Sequence, residues 1–149
     1  MISKNIDLSE LLHQAGLRVT PQRIAICEMV MNSDRHPTAN DIYGRLKEVY
    51  SSISLATIYN TLDVLVDMGM VNALGSTGDD TVHFDGNTIP HLHLVCIRCH
   101  RIVDNYSNYV EMLESEIRQS SGYKLLGSRV VYYGICPECR EQERLPSNQ

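Results

Sequence analysis

Four of the five cysteines in this 149-residue chain fall into two Cys-x-x-Cys pairs. The first pair is Cys96 and Cys99, and the second is Cys136 and Cys139. Two thiolates three residues apart can bind one ion where the backbone turns between them, and a second pair completes the tetrahedral set that zinc prefers. The spacing predicts a structural zinc site that joins two distant segments. The alternative is a pair of redox-active dithiols, which usually lie in a thioredoxin-like βαβ context that this sequence lacks.

A second group of residues offers nitrogen and oxygen ligands without sulfur. His91 and His93 are two apart, so on a strand both imidazoles face the same side. Asp85 precedes them, Asp104 lies on the next predicted strand, and His36 occupies a loop in the first half of the chain. Such a set suits Fe(II) or Mn(II) better than structural zinc. A solvent-exposed loop histidine and an aspartate that caps a turn are the simpler alternatives for individual members.

Three further histidines, His13, His83 and His100, have no compelling partners in the sequence. Cys27 lies on an apolar helix face, which favours a small core residue.

Composition narrows the class of protein. The chain is 43% hydrophobic, which is ordinary for a globular protein, and no stretch is long or apolar enough to span a bilayer. The N-terminus lacks the regions of a signal peptide, so we expect a cytoplasmic protein in which clustered cysteines bind metal. The formal charge of −5 argues mildly against nucleic-acid binding, which needs a local basic surface.

The first half of the chain is predicted to be helical. Thr20-Pro21, the segment 36–41 and Ser54 each provide a helix start, with a capping side chain or proline at the first helical position. The third helix is expected to bury Leu55, Ile58, Leu62, Leu65 and Val66 and to expose Ala56, Thr57, Asn60 and Thr61. Two short strands, 70–74 and 81–84, then flank a turn over 75–80. This order is typical of a winged helix-turn-helix, although an ordinary helical bundle remains the alternative.

The second half alternates short strands with one helix. Strands are expected over 91–95, 101–105 and 129–133, and a helix over 109–120 with Val110, Leu113 and Ile117 facing inward. We therefore predict an α+β protein with a winged-helix domain over residues 1–84 and a small α/β domain, closed by zinc, over residues 85–149.

Several motifs together resemble the ferric uptake regulator (Fur) family of metal-dependent transcriptional repressors. The matching segments are Leu17 to Arg23, His36 to Ala39, Ser54 to Leu62, the His91-Leu92-His93 triplet and the two Cys-x-x-Cys pairs. The resemblance implies an N-terminal DNA-binding domain, a C-terminal dimerisation domain and a homodimer on a pseudo-palindromic double-stranded operator. It also implies structural Zn²⁺ at the cysteines and regulatory Fe²⁺ or Mn²⁺ at His36, Asp85, His91, His93 and Asp104.

Asp104 stands where iron-sensing Fur proteins generally carry glutamate, and aspartate there resembles the peroxide-sensing PerR branch. In that branch Fe(II) and hydrogen peroxide oxidise a ligand histidine, and the matching candidates are His36 and His91. The alternative is an iron-responsive repressor of metal uptake genes.

The resemblance also gives candidates for DNA contact: Tyr59, Asn60, Thr57 and Ser54 at the groove, with Arg18 and Arg23 at phosphates or the minor groove. Two other classes remain to be weighed. Five available protein ligands argue against a metal-dependent hydrolase, because a catalytic ion needs an open position for substrate, and no separate general base is evident, so we expect no enzyme. A zinc-dependent interaction module does not explain the helix-turn-helix pattern.

Overall fold

The computed structural model describes residues 6–75 and 78–144. Its contacts divide the chain into two compact units. The described residues of Met1–Ala73 and His83–Thr88 form the first unit, and those of Leu74–Val82 and Ile89–Gln149 form the second. The chain thus passes to the second unit at residue 74, returns to the first at residue 83 and passes to the second again at residue 89. The predicted division into domains 1–84 and 85–149 stays a prediction. Among the described residues, no helix combines the length and apolarity needed to cross a membrane.

Four helices build the first unit: α1 (Leu8–Gln14), α2 (Pro21–Met31), α3 (Ala39–Leu46) and α4 (Leu55–Asp67). The three predicted helix starts are confirmed. The side chain of Thr20 caps α2, Thr38 caps α3, and Ser54 caps α4, each by accepting a backbone N–H of the first turn. The helices enclose one apolar core, whose centre includes Leu12, Ile26, Ile42, Ile58, Leu62 and Phe84.

The apolar face of α4 differs from the prediction at two positions. Leu55 is 36% exposed because it opens the first turn, beyond the reach of the core. Thr61, expected outside, is fully buried. Its hydroxyl donates to the carbonyl of Thr57 at 2.8 Å, so this polar group is satisfied within the helix and needs no water.

Strands β1 (Asn72–Leu74) and β2 (His83–Asp85) pair as a two-stranded sheet, as the winged-helix order predicts. Ser76 and Thr77 of the predicted turn lie outside the described residues. Beyond this sheet, Thr38 forms an antiparallel bridge with His83, and the Phe84 N–H donates to the Pro37 carbonyl at 3.0 Å. The segment before α3 is therefore held along β2.

The second unit contains a three-stranded sheet of order β4-β3-β5. Strand β3 (Leu92–Cys96) pairs antiparallel with β4 (Ile102–Asn105) and parallel with β5 (Val130–Gly134). Side chains alternate along β3: His93 and Val95 are buried on one face, whereas Leu94 is exposed on the other. The face of the sheet that carries His93 and Val95 is thus the buried one.

Two helices complete this unit. The predicted helix is present as α5 (Asn108–Ser121), but none of its residues is buried. The expectation that Leu113 and Ile117 face inward is wrong for the single chain, since they are 51% and 40% exposed. Helix α6 (Pro137–Arg144) was not predicted, because its sequence is almost entirely polar.

Candidate metal centres

The four paired cysteines come together in the second unit. One sulfur from each of Cys96, Cys99, Cys136 and Cys139 lies within 4.8 Å of the other three. Cys99 and Cys136, which belong to different pairs, have their sulfurs 3.8 Å apart. The sequence interpretation is confirmed in this respect: the cluster joins the end of β3 to the start of α6, two segments far apart in the chain.

Local backbone structure creates each half of this cluster. After β3 the chain turns so that the His100 N–H donates to the Cys96 carbonyl at 2.9 Å. In the second pair, Cys136 precedes α6 and its carbonyl accepts the Arg140 N–H at 2.9 Å, so one helical turn brings Cys139 back beside Cys136. The Cys136 N–H also donates to the Cys96 sulfur at 3.4 Å, which links the two halves directly.

The protonation chemistry of the cluster favours a cation. Donation from the backbone N–H groups of Cys136 and Cys99 lowers the pKa of Cys96 to about 6, so this sulfur is a thiolate at neutral pH. The hydrogen bond with Cys136, followed by burial, raises the pKa of Cys139 to about 12. A first thiolate thus opposes ionisation of its neighbours, and a divalent cation would reverse that effect. The donor set fits a four-sulfur metal site.

An ion pair connects the two cysteine segments outside the sulfurs. Arg101 donates to the Glu138 carboxylate at 2.7 Å. Glu138 lies between Cys136 and Cys139, whereas Arg101 follows Cys99 by two residues. The pKa of Glu138 is lowered to about 2 by its own backbone N–H and by Arg101, so the carboxylate stays charged. Sequence reasoning missed this pair, although charges next to metal-binding cysteines would have suggested it.

A second group of ligands lies on the buried face of the sheet. The Nε2 atoms of His91 and His93 are 3.0 Å apart, and each is 3.6 Å from the same carboxylate oxygen of Asp104. The register explains the convergence, since His93 pairs with Asp104 across β3 and β4. Adjacent ligands of an ion with bonds of about 2.1 Å are separated by about 3.0 Å, so the two imidazoles stand at a suitable spacing. The predicted strand geometry of the His-x-His motif is confirmed.

The tautomer of His91 is set by a neighbour. Its Nδ1 lies 2.6 Å from the carbonyl oxygen of Ile89, which can only accept a hydrogen bond. The proton of a neutral ring therefore belongs on Nδ1, and Nε2 keeps its lone pair for a metal ion. The ring of Tyr106 lies 5.5 Å away, centroid to centroid.

The other two predicted ligands belong to the first unit. The bridge between Thr38 and His83 is antiparallel, so it places His36, two residues before Thr38, opposite Asp85, two residues after His83. Both residues are buried. Asp85 also accepts the Asn87 N–H at 2.8 Å, so it has the turn-capping role of the simpler alternative. One carboxylate oxygen can cap a turn while the other serves as a ligand.

His83, for which the sequence offers no compelling partner, contacts His36. Its Nδ1 lies 2.8 Å from the His36 carbonyl oxygen. His36 has a φ of 50°, an uncommon conformation for a residue with a side chain, and this hydrogen bond helps to hold it. The position of His83 two residues before Asp85 on a strand was the available signal. It is a positioning residue that sequence reasoning missed.

Four of the DNA-contact candidates lie at the start of α4 in the first unit, whereas Arg23 lies in α2 and Arg18 precedes it. Ser54 and Asn60 are exposed, and Tyr59 is 45% exposed. The Arg23 guanidinium lies 3.5 Å from the Asn60 side-chain oxygen and donates to the Arg18 carbonyl at 2.9 Å. The contact with Asn60 connects α2 to the exposed side of α4. Ser54 and Thr57 interact with one another, since their hydroxyl oxygens are 3.1 Å apart.

Known proteins are similar to this chain in sequence and in fold. The model of the ferric uptake regulator family matches residues 14–133. The chain is 40% identical over 131 residues to the peroxide-responsive repressor PerR of Staphylococcus epidermidis, covering 88% of this chain and 87% of that protein. It is 37% identical to the solved structure of Streptococcus pyogenes PerR, with a TM-score of 0.50 and coverage of 89% and 90%. It is 28% identical to the manganese-containing ferric uptake regulator of Pseudomonas aeruginosa, with a TM-score of 0.70 and coverage of 89% and 99%.

Proposed function

Since the chain belongs to the ferric uptake regulator family, we propose that it is a metal-dependent, DNA-binding repressor that senses hydrogen peroxide through Fe(II)-catalysed oxidation of a ligand histidine. The convergence of His91, His93 and Asp104 carries this proposal. It offers the nitrogen and oxygen donors that an exchangeable Fe(II) or Mn(II) prefers, separate from the cysteine cluster. The peroxide-responsive repressors named above support the PerR branch. A regulator of this family is not an enzyme.

The proposed regulatory ligand set is His36, Asp85, His91, His93 and Asp104. Two of its members come from the first unit and three from the second. A single ion bound by both groups would favour the one arrangement of units in which all five ligands reach it. Metal binding would thereby be coupled to DNA binding, because a ligand shifts a conformational equilibrium only by its preference for one state.

The reaction with hydrogen peroxide requires a bound metal, and the positions of the ligand histidines determine which side chain is oxidised. Bound Fe(II) would activate hydrogen peroxide beside the imidazoles, so that one peroxide oxygen is added to a ligand histidine, which gives up two electrons, and the other oxygen leaves as water. His36 and His91 are the proposed sites of oxidation. The Ile89 carbonyl holds the His91 ring so that Nε2 faces His93 and Asp104. Loss of a good imidazole ligand would weaken the link between the two ligand groups, and the repressor would leave its operator.

We propose Zn²⁺ for the cysteine cluster. Four thiol ligands at this spacing suit zinc, which has no redox chemistry and forms stable tetrahedral sites with sulfur. The contact between Arg101 and Glu138 stabilises the same arrangement. This ion would support the fold of the second unit, whereas the His/Asp site would carry the signal.

The proposed nucleic-acid partner is a double-stranded operator. The exposed N-terminal part of α4 carries Ser54, Thr57, Tyr59 and Asn60, whose side chains can read base edges. Arg18 and Arg23 would contact phosphates or the minor groove. Since the chain as a whole has a charge of −5, affinity should depend on these few cations and weaken as salt rises.

A homodimer is supported by the outward face of the sheet. Leu94 pairs with Val103 on β4 and with Tyr132 on β5, so these three side chains form a row across the sheet. They are 41%, 47% and 60% exposed. On α5, Met112, Leu113 and Ile117 are also exposed. Exposed apolar side chains on both elements suit burial against a second copy.

Iron-responsive repression is the second candidate, favoured by the similarity to the Pseudomonas aeruginosa ferric uptake regulator. Mass spectrometry of Fe(II)-loaded protein after stoichiometric hydrogen peroxide separates the two functions. Trypsin releases His36 in the peptide 36–45, which contains no other histidine, whereas His83, His91 and His93 share the peptide 48–98 and need fragmentation to be distinguished. We expect one added oxygen on His36 or His91 together with loss of DNA binding, and no addition in Mn(II)-loaded protein. Unmodified Fe(II) protein that still binds DNA would favour the iron-responsive function.

A further inference from the structure

A cavity of about 280 Å³ lies beside the His/Asp ligands, entirely within the second unit. It is lined by Leu74, Gly75, His93, Val95, Arg129, Val131 and Tyr133. The register of the sheet explains this wall: His93 pairs with Val131, and Val95 with Tyr133, so all four share one face of β3 and β5. The cavity thus adjoins the ligand group along the same sheet face, with His93 common to both.

The cavity wall combines apolar and cationic character. Leu74 and Val95 are almost fully buried, at 2% and 3% exposure, so the apolar surface of the wall comes mainly from the half-buried Val131 and the exposed ring of Tyr133. Arg129 supplies the one guanidinium among the lining residues. A Cβ built on Gly75 would lie 3.4 Å from an Arg129 terminal nitrogen, which places the guanidinium beside the Gly75 backbone. A guanidinium has five N–H donors, so it can bind an anion while it keeps another contact.

We propose that this cavity binds a small organic monocarboxylate. The carboxylate would accept paired hydrogen bonds from Arg129, in the fork geometry that guanidinium groups favour. The apolar body of the ligand would lie against Val131 and the ring of Tyr133, and an unsaturated body could stack on that ring. A dicarboxylate fits less well, because only one cationic side chain lines the cavity.

This binding site extends the proposed function without depending on it. The cavity is formed by residues of the second unit, and no regulatory metal is needed to build it. The ligand would lie on the side of β5, against Val131 and Tyr133, whereas Asp104 approaches His93 from β4. A metal ion and a carboxylate could therefore be bound at the same time.

Benzoate is a suitable probe, and the full chain with zinc as its only metal is the protein to use. For a ligand of this size we expect a dissociation constant on the order of 1 mM, measurable by two-dimensional NMR titration. Shifts should concentrate at the Gly75, Val95 and Val131 amides. The change Arg129→Gln should weaken binding about tenfold or more, since it removes charge-assisted hydrogen bonds. Neutral benzamide should bind wild type as weakly as benzoate binds the Arg129→Gln variant.

Two matched variants make the test decisive. Lys124→Gln removes the same charge from an exposed position of the second unit outside the cavity lining, and it should leave benzoate affinity unchanged. Val131→Phe should fill the cavity and abolish the shifts while zinc content stays at one ion per chain. Equal affinity in wild type and Arg129→Gln, or equal binding of benzoate and benzamide, would overturn the proposal. Oxidation of His36 or His91 by peroxide is measured separately, so failure here leaves the proposed function intact.

Discussion

The ring of His83 is hydrogen-bonded to the backbone of His36, with 2.8 Å between Nδ1 and the carbonyl oxygen. The contact holds the backbone of His36 at a φ of 50°, and this backbone conformation sets the direction of the His36 side chain. The two residues are 47 positions apart, so β2 and the loop before α3 must both be in place for the contact to form.

Replacing His83 should therefore weaken the regulatory metal site without removing a ligand. We expect His83→Ala to lower Mn(II) affinity by about tenfold, the usual effect of losing a group that orients a ligand. Isothermal titration calorimetry of zinc-loaded protein measures it. His13→Ala, on the exposed side of α1, is the matched control and should bind Mn(II) like wild type. Unchanged affinity in His83→Ala would show that the His36 conformation does not depend on this contact.

The cysteine cluster should determine the stability of the second unit. In Cys96→Ser we expect zinc content to fall well below one ion per chain and the melting temperature to drop by about 10 °C or more. Cys27→Ala supplies the control, since Cys27 is buried in the first unit, whereas the other cysteines in the chain belong to the second. This variant should have the zinc content of wild type. Elemental analysis and thermal unfolding give both quantities. Retention of zinc by Cys96→Ser would contradict a four-cysteine site.

Assembly should depend on the apolar row across the sheet. Tyr132→Glu places a charge in the middle of the proposed interface, and we expect the molar mass from light scattering to fall from two chains to one. Val49→Glu introduces the same charge at a residue of the first unit that is 73% exposed, and the dimer should persist. A dimeric Tyr132→Glu protein with normal zinc content would place the interface elsewhere.

Base recognition and phosphate contact can be separated at the start of α4. With an operator selected from random DNA by Mn(II)-loaded protein, Asn60→Ala should weaken specific binding about tenfold. Arg18→Gln should instead weaken binding to all DNA sequences alike. It should also reduce the slope of log affinity against log salt concentration by about one. Asn40→Ala, on the exposed side of α3, is the control. Fluorescence anisotropy at several salt concentrations distinguishes these effects, and an Asn60→Ala protein with wild-type specificity would exclude Asn60 from base readout.

The capping box of α3 should make stability depend on pH in the acid range. Hydrogen bonds from the backbone and the side chain of Thr38 hold the pKa of Asp41 below its ordinary value. Because the folded pKa is the lower one, the stabilisation is complete above the unfolded pKa and is lost as pH falls through the folded value, below about pH 4.

Urea unfolding at pH 7 and at pH 3 tests this behaviour. At pH 7, Asp41→Asn should cost up to about 1 kcal/mol, and the difference from wild type should shrink at pH 3. The double variant Thr38→Ala/Asp41→Asn should lose less than the sum of the two single changes, since both remove the same hydrogen bonds. A difference that is equal at both pH values would count against the contact.

Local chemistry made the helix starts and the cysteine cluster predictable. A hydroxyl before proline at Thr20-Pro21 satisfies backbone N–H groups whatever the tertiary structure, and the same holds for Ser54. The His-x-His geometry followed from the two-residue period of a strand.

Contacts between distant segments could not be predicted in this way. The hydrogen bond between His83 and His36 depends on an antiparallel bridge across 45 residues, from Thr38 to His83, and neither segment signals it alone. Thr61 can be buried because its hydroxyl donates to the Thr57 carbonyl within the helix. A prediction from the pattern of polar and apolar residues does not include such a hydrogen bond. Leu113 and Ile117 lie on one side of α5, as helical periodicity predicts, but they are exposed. Periodicity does not show whether the apolar side of a helix packs against its own chain or against another one.

The alternation along β3 has a consequence for how this protein can change over generations. Substitutions at His93 or Val95 act on the inner face, and substitutions at Leu94 act on the outer one, so the proposed metal site and the proposed dimer interface can evolve independently. Insertions and deletions have no such freedom. One extra residue within β3 would exchange the two faces, moving an imidazole into the apolar row and a leucine into the ligand group. Natural variants of this strand should therefore differ by replacement and keep its length.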